Sequence, residues 1–133
     1  MALLNRASCL ARIEPGAVDV LTAALLEVSR PLPVIVHTLS VTEMGLLAPG
    51  LLVVDLDGLD VDPLEMLRRL RFVLPACMIA VYTSLIDEDW AMSCHLAGAN
   101  CLLSKASDEG RIGVGLRDAL RGGCFTDPAF RAA

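Results

Sequence analysis

Two kinds of apolar pattern alternate along the chain and predict alternating strands and helices. Short continuous apolar runs, typical of strands that are buried on both faces, begin at positions 8, 34, 51, 78 and 100. Between these runs, apolar residues recur every three or four positions, which is the period of a helix that packs by one face. The predicted strands are 8–13, 34–37, 51–55, 78–82 and 100–103.

Turn and cap residues set the limits of five predicted helices. Pro15 opens the first helix, and Pro31 ends it. Asp62 is the expected N-cap of the third helix, with Pro63 at its first position, and Gly98 closes the fourth. The helices are predicted at 15–28, 41–47, 63–73, 87–97 and 108–120.

Five strand–helix units predict an α/β domain with a doubly wound, flavodoxin-like parallel sheet. The expected strand order is 2-1-3-4-5, with helices on both faces, and 133 residues suit one domain. Ligands of such sheets bind beyond the carboxyl ends of the strands. Asp55, Thr83 and Lys105 each lie at or just beyond the carboxyl end of a predicted strand, so this fold is expected to bring them together.

Composition and charge exclude several classes of function. The formal net charge of −5 argues against direct nucleic-acid binding by this segment, since such binding needs a basic face. No apolar run approaches the roughly 20 residues of a membrane span, and the amino terminus lacks the pattern of a secretory signal. The 55% hydrophobic content indicates either a thoroughly buried sheet or an apolar surface that docks on a partner.

The cysteines argue against a disulfide framework and against a structural zinc site. They are odd in number and form no Cys-x-x-Cys pair, which favours a reducing cytoplasm. They are Cys9, Cys77, Cys94, Cys101 and Cys124.

Asp55, Thr83 and Lys105 are the groups that a phosphoryl-acceptor site needs. A carboxylate can attack a phosphoryl donor, and a divalent cation, usually Mg²⁺, offsets the charge of the reacting groups. A lysine and a hydroxyl can hold phosphoryl oxygens. Asp55 is the candidate nucleophile, with Thr83 and Lys105 as its helpers. A small flavodoxin-like enzyme is disfavoured, because the sequence has no glycine-rich phosphate loop and no nucleophile–base pair.

These residues and their spacing resemble the receiver domain of bacterial two-component response regulators. Thr83 lies 28 residues and Lys105 lies 50 residues after Asp55, as in receivers. The stretch 62–65 (DPLE) is similar to their D-G-L-E, and 97–100 (AGAN) to their A-G-A-D/N. The resemblance covers nearly the whole chain. It implies a switch rather than a turnover enzyme, phosphorylated on Asp55 by a histidine kinase or a phosphotransfer protein.

The chain departs from the receiver pattern at the metal site and at the switch position. Receivers carry two adjacent acids after the first strand that help to bind Mg²⁺. The expected counterpart here is Ile13-Glu14. Glu14 is therefore an implied metal ligand, whereas Ile13 replaces the other acid, so we expect weakened Mg²⁺ binding. The remaining implied metal ligands are Asp55 and Asp57, the latter through its backbone carbonyl or its side chain.

Leu102 stands at the switch position, where receivers usually have an aromatic residue. Together with Ile13 and the apolar composition, it favours an alternative function. In that alternative, the chain is a degenerate receiver that acts as a phosphorylation-independent interaction or dimerisation module.

The resemblance also implies a partner surface and a boundary. Receivers bind partners or form homodimers through the fourth helix, the fifth strand and the fifth helix. Trp90 on the fourth helix is either a contact anchor or partly buried against the sheet. Residues 1–122 form the expected receiver domain. The tail 123–133 resembles a linker to a LuxR-type output domain, so the chain is either truncated or a stand-alone receiver.

Overall fold

Six parallel strands form a single sheet in the order β2-β1-β3-β4-β5-β6. The computed structural model describes residues 7–28 and 32–131. The predicted order of the first five strands is confirmed. The strands are β1 (Ser8–Ala11), β2 (Val34–Val36), β3 (Leu51–Val54), β4 (Met78–Thr83), β5 (Cys101–Ser104) and β6 (Phe125–Thr126).

Helices cover both faces of this sheet. The described residues form α1 (Pro15–Leu26), α2 (Val41–Leu47), α3 (Pro63–Val73), α4 (Glu88–Ala97) and α5 (Glu109–Gly122), and a 3₁₀ helix (Pro128–Arg131) follows. Helices α1 and α5 pack on one face, whereas α2, α3 and α4 pack on the other. The side chain of Asp62 accepts a hydrogen bond from the backbone N–H of Leu64, which confirms it as the N-cap of α3. None of these helices is both long and apolar enough to cross a membrane.

The apolar strands are explained by two cores, one on each side of the sheet. Along β3, Leu52 and Val54 join the core under α2, α3 and α4, while Leu51 and Val53 join the core under α1 and α5. A strand that is buried on both faces has no polar side and therefore reads as a continuous apolar run.

Part of the apolar composition also lies on the surface. Leu46, Phe72 and Leu96 occupy the last turns of α2, α3 and α4 and are 83%, 86% and 82% exposed. The hydrophobic content therefore divides between a buried sheet and exposed apolar side chains on three helices.

The buried cysteines behave as small apolar residues. Burial raises the pKa of Cys9 to about 11 and that of Cys94 to about 12, so both thiols stay protonated at neutral pH. Burial also raises the pKa of Cys101, whereas Cys124 is exposed.

The sixth strand is the main difference from the predicted five-stranded sheet. It comes from the tail, and Phe125 and Thr126 pair in parallel with Cys101 and Leu102 of β5. Phe130 then inserts into the core under α4 with only 1% of its surface exposed. Residues 125–130 therefore pack on the domain that was predicted to end at 122. The role of the tail as a linker stays a prediction.

Candidate functional site

Asp55, Thr83 and Lys105 meet at the carboxyl ends of three neighbouring strands, as the parallel sheet requires. Asp55 follows β3, Thr83 ends β4, and Lys105 follows β5. The Nζ atom of Lys105 lies 2.6 Å from Oδ2 of Asp55 and 3.1 Å from Oδ2 of Asp57. The site is therefore a lysine shared by two carboxylates, and Asp55 is almost fully buried beneath it.

The side chain of Asp57 collects most of the hydrogen bonds at the site. The Thr83 hydroxyl donates to Oδ1 of Asp57 at 2.7 Å, and the backbone N–H and hydroxyl of Ser84 both donate to Oδ2 at 2.9 Å. The backbone N–H of Asp57 in turn donates to Oδ1 of Asp55 at 2.8 Å. The Thr83 hydroxyl therefore hydrogen-bonds to the carboxylate of Asp57 rather than to that of Asp55 in this structure.

The hydrogen bonds keep both Asp57 and Lys105 charged. Burial acts to raise the pKa of Asp57, but hydrogen bonds from Thr83, Ser84 and Lys105 outweigh it and hold the pKa below its ordinary value. Burial acts to lower the pKa of Lys105, but its hydrogen bonds to Asp55 and Asp57 and their charges raise it above its ordinary value. The ion pair between Asp57 and Lys105 therefore persists through the neutral range.

We expect the Asp57 network to stabilise the fold at neutral pH and to lose that contribution in acid. The folded-state pKa lies below the ordinary value of 3.8, so the unfolded chain takes up more protons as the pH falls through this region. The stabilisation is therefore present above that value and is lost as the pH falls through the folded-state pKa. Asp57→Asn should lower the free energy of unfolding at neutral pH by about 1–2 kcal/mol.

Urea unfolding at pH 7 and at pH 3 measures this effect. The wild type should lose more stability on acidification than Asp57→Asn, because only the wild type protonates a paired carboxylate at this position. Asp60→Asn, which changes an exposed aspartate of the same loop, should behave as the wild type. Equal acid sensitivity of the wild type and Asp57→Asn would contradict the prediction.

Arg12 is a site residue that the sequence interpretation missed. Strand β1 ends at Ala11, which pairs with Val54, so Arg12 lies opposite Asp55 one step beyond the strand. Its Nη1 atom donates to the backbone carbonyl of Asp57 at 2.7 Å and to that of Asp55 at 3.1 Å. The available signal was a basic residue at the end of the first apolar run.

The residues after the first strand differ from the predicted arrangement. The strand was predicted to reach position 13, but Arg12 and Ile13 are the first two residues beyond β1. Ile13 is 6% exposed and packs in the core under α1, which explains why it extends the apolar run. Glu14 is exposed at the N-cap position of α1 and lines a cleft of about 430 Å³ with Asp55.

The implied ligand oxygens at this site are engaged by cationic side chains, which disfavours Mg²⁺, a cation that one or two carboxylates and several waters usually bind in octahedral geometry. The carbonyl of Asp57, an implied metal ligand, accepts a hydrogen bond from Arg12, and the carboxylate of Asp55 is paired with Lys105. A guanidinium in contact with that carbonyl also repels a divalent cation. In the part of the chain that the structure describes, no group of three or more His, Cys, Asp or Glu residues could hold a metal ion.

Leu102, predicted as the switch position, and Trp90, a candidate contact residue, both pack in or against the core under α4. Leu102 on β5 is fully buried in the core that also contains Phe130. Trp90 is partly buried and packs against the same core. Its Nε1 atom is buried and has no hydrogen-bond partner among the described residues. This geometry favours the packing alternative for Trp90.

Comparison with known proteins identifies the fold but no closer relative. No family model matches the chain, and no curated protein matches it. A LuxR-family two-component response regulator from Aurantimonas sp. SI85-9A1 is 22% identical, with a TM-score of 0.71 over 96% of this chain and 93% of that one.

Two further solved structures have a similar architecture. The isolated REC domain of RcsB from Salmonella enterica serovar Typhimurium, determined with phosphomimetic BeF₃⁻, is 15% identical, with a TM-score of 0.78 over 96% of both chains. A response regulator from Thermotoga maritima is 16% identical, with a TM-score of 0.71 over 87% of this chain and 98% of that one. The chain therefore has the fold of a response regulator receiver domain.

Proposed function

We propose that the chain is a receiver-type interaction module whose state does not depend on phosphoryl transfer to Asp55. The observation that supports this proposal is the poor fit of the site to Mg²⁺, with Arg12 hydrogen-bonded to the carbonyl of Asp57. A phosphoryl group on Asp55 would add negative charge beside the carboxylate of Asp57, which shares Lys105 with Asp55. A divalent cation normally offsets that charge during phosphoryl transfer.

The surface around α4 supports a role in protein binding. Met92 and Leu96 on α4 are 59% and 82% exposed, and Val114 on α5 is 49% exposed. Strand β6 covers the edge of β5, so a partner or a second copy that binds this side meets β6 instead of β5. The module acts by binding rather than by turnover of a substrate.

A second candidate function is phosphoryl acceptance, favoured by the 2.6 Å contact between Lys105 and Asp55. A carboxylate oxygen of Asp55 would attack the phosphorus atom of a phosphohistidine. The new O–P bond would form as the N–P bond of the kinase or phosphotransfer protein breaks. The Lys105 ammonium would then pair with a phosphoryl oxygen.

Incubation with acetyl phosphate and Mg²⁺ separates the two candidates. We expect the intact mass of the wild type to remain unchanged, as that of Asp55→Asn must. Because acyl phosphates hydrolyse, a parallel NMR titration with beryllofluoride and Mg²⁺ should also leave the wild-type amide spectrum unchanged. An added phosphoryl mass that is absent from Asp55→Asn but present in the matched control Asp60→Asn would establish phosphoryl acceptance and refute the module.

A further inference from the structure

We propose that Arg12 is a built-in cation that replaces a divalent metal at this site and keeps one out. This inference rests on the proposed function, because it explains how the site is maintained without a metal ion. The guanidinium bridges the backbone carbonyls of Asp55 and Asp57 from the β1 side. It thereby occupies the carbonyl that the receiver resemblance assigns to the metal.

The two carboxylates in contact with Lys105 are balanced in charge when Arg12 is included, and Glu14, which lines the same cleft, is exposed to solvent. Asp55 and Asp57 contribute two negative charges, and Lys105 supplies one positive charge in contact with both. The guanidinium of Arg12 supplies the second positive charge, in contact with the backbone carbonyls of both aspartates.

The backbone of Arg12 anchors the residue beside these carbonyls. Its N–H donates to the carbonyl of Val36 at 2.9 Å, just beyond the paired part of β1 and β2. Its φ of 61° lies in the left-handed region, which a residue with a side chain rarely adopts. Such a conformation persists only where the surrounding contacts hold it. Two sets of hydrogen bonds hold Arg12 in this conformation. Its backbone N–H donates to a carbonyl of β2, and its guanidinium donates to the carbonyls of two residues that follow β3.

Arg12→Gly and Arg12→Asn remove the guanidinium without a conflict with the backbone. Both residue types tolerate a left-handed φ, and asparagine also supplies an oxygen. Binding of Mn²⁺, a paramagnetic substitute for Mg²⁺, can be followed by electron paramagnetic resonance. Melting temperature in Mg²⁺ against EDTA gives a second readout.

We expect wild type to show no saturable Mn²⁺ binding at millimolar concentration and the same melting temperature in Mg²⁺ and in EDTA. Both variants should bind Mn²⁺ at least tenfold more tightly and melt at a higher temperature in Mg²⁺ than in EDTA. Arg69→Ala, which removes an exposed arginine paired with Glu65 on the same helix, should behave as the wild type and control for net charge.

Two results would overturn the role of Arg12. One is saturable Mn²⁺ binding by the wild type that Asp55→Asn abolishes, and this measurement needs no Arg12 variant to fold. The other is a folded Arg12→Asn variant that binds Mn²⁺ no better than the wild type, because groups other than Arg12 would then exclude the metal.

Different results would refute the role of Arg12 as a built-in cation and the proposed function as a phosphorylation-independent module. If acetyl phosphate labels Asp55 equally in Mg²⁺ and in EDTA, the phosphorylation-independent module is refuted, whereas the built-in cation is supported. If the wild type binds Mn²⁺ through Asp55 yet gains no phosphoryl group, the built-in cation is refuted and the module stands.

Discussion

Replacing Phe130 with alanine should lower the free energy of unfolding by about 3–5 kcal/mol, the range for a phenylalanine removed from a packed core. Phe130 is 1% exposed and belongs to the core between the sheet and α4. Truncation would remove its apolar contacts and leave a cavity in the core that also contains Leu102. The expected loss is large because the tail contributes a core side chain rather than a surface strand alone.

Urea unfolding of Phe130→Ala and Phe72→Ala measures this contribution with the same chemical change at two sites. Phe72 is 86% exposed on α3, so its truncation should change stability by no more than about 0.5 kcal/mol. Equal effects of the two substitutions would show that the tail does not belong to the domain core. A folded chain that ends at Gly123 and keeps full stability would show the same.

Strong periodicity made the strands and helices predictable, and the order of the sheet was inferred from the doubly wound pattern that five strand–helix units favour. Strands that are buried on both faces and helices with clear caps, such as Asp62 before α3, leave few alternatives for a chain of this length. The end of β1 was not predictable in the same way. Ile13 continues the apolar run because it packs in the core after a turn, and an apolar pattern does not distinguish such a residue from a strand residue.

The sequence of the sixth strand has almost no pattern from which a strand could be predicted. It has two residues, too few for a period, and it follows the Gly122-Gly123 break that marks the end of a helix. Asp127 could not be identified either, although it is fully buried. It accepts hydrogen bonds from the Ser107 hydroxyl and from the backbone N–H of Ala129, and these partners become visible only in the folded structure.

The part of the site that follows from topology was predictable, and the part that depends on local turns was not. Asp55, Thr83 and Lys105 come together because parallel strands deliver their carboxyl ends to one edge. The direction of the Asp57 side chain and the approach of Arg12 depend on backbone angles beyond the strands. No spacing in the sequence encodes those angles.

Replacing Lys105 with methionine should destabilise the chain by about 2–4 kcal/mol. The carboxylate of Asp55 is nearly buried and would lose its 2.6 Å partner, and removing one member of a buried ion pair leaves an uncompensated charge. The Lys105 side chain is 24% exposed, so solvent screening keeps the effect at or below that of a fully buried pair. Methionine keeps an unbranched apolar chain beside the ring of Tyr82, over which the ammonium of Lys105 lies at 5.9 Å from the centroid.

Adding Asp55→Asn to Lys105→Met should recover much of the lost stability, because the double variant no longer buries an unpaired charge at this position. The four chains form a double-mutant cycle, in which we expect a coupling energy of about 1–3 kcal/mol between Lys105 and Asp55. If Lys105→Met does not change the free energy of unfolding and shows no coupling energy with Asp55, the ion pair does not stabilise the fold. Lys105 would then be retained for chemistry at Asp55, and phosphoryl acceptance would become the better account of the site. Strong coupling in a chain that acetyl phosphate does not modify would instead show that the ion pair at the strand ends stabilises the fold and does not take part in phosphoryl transfer.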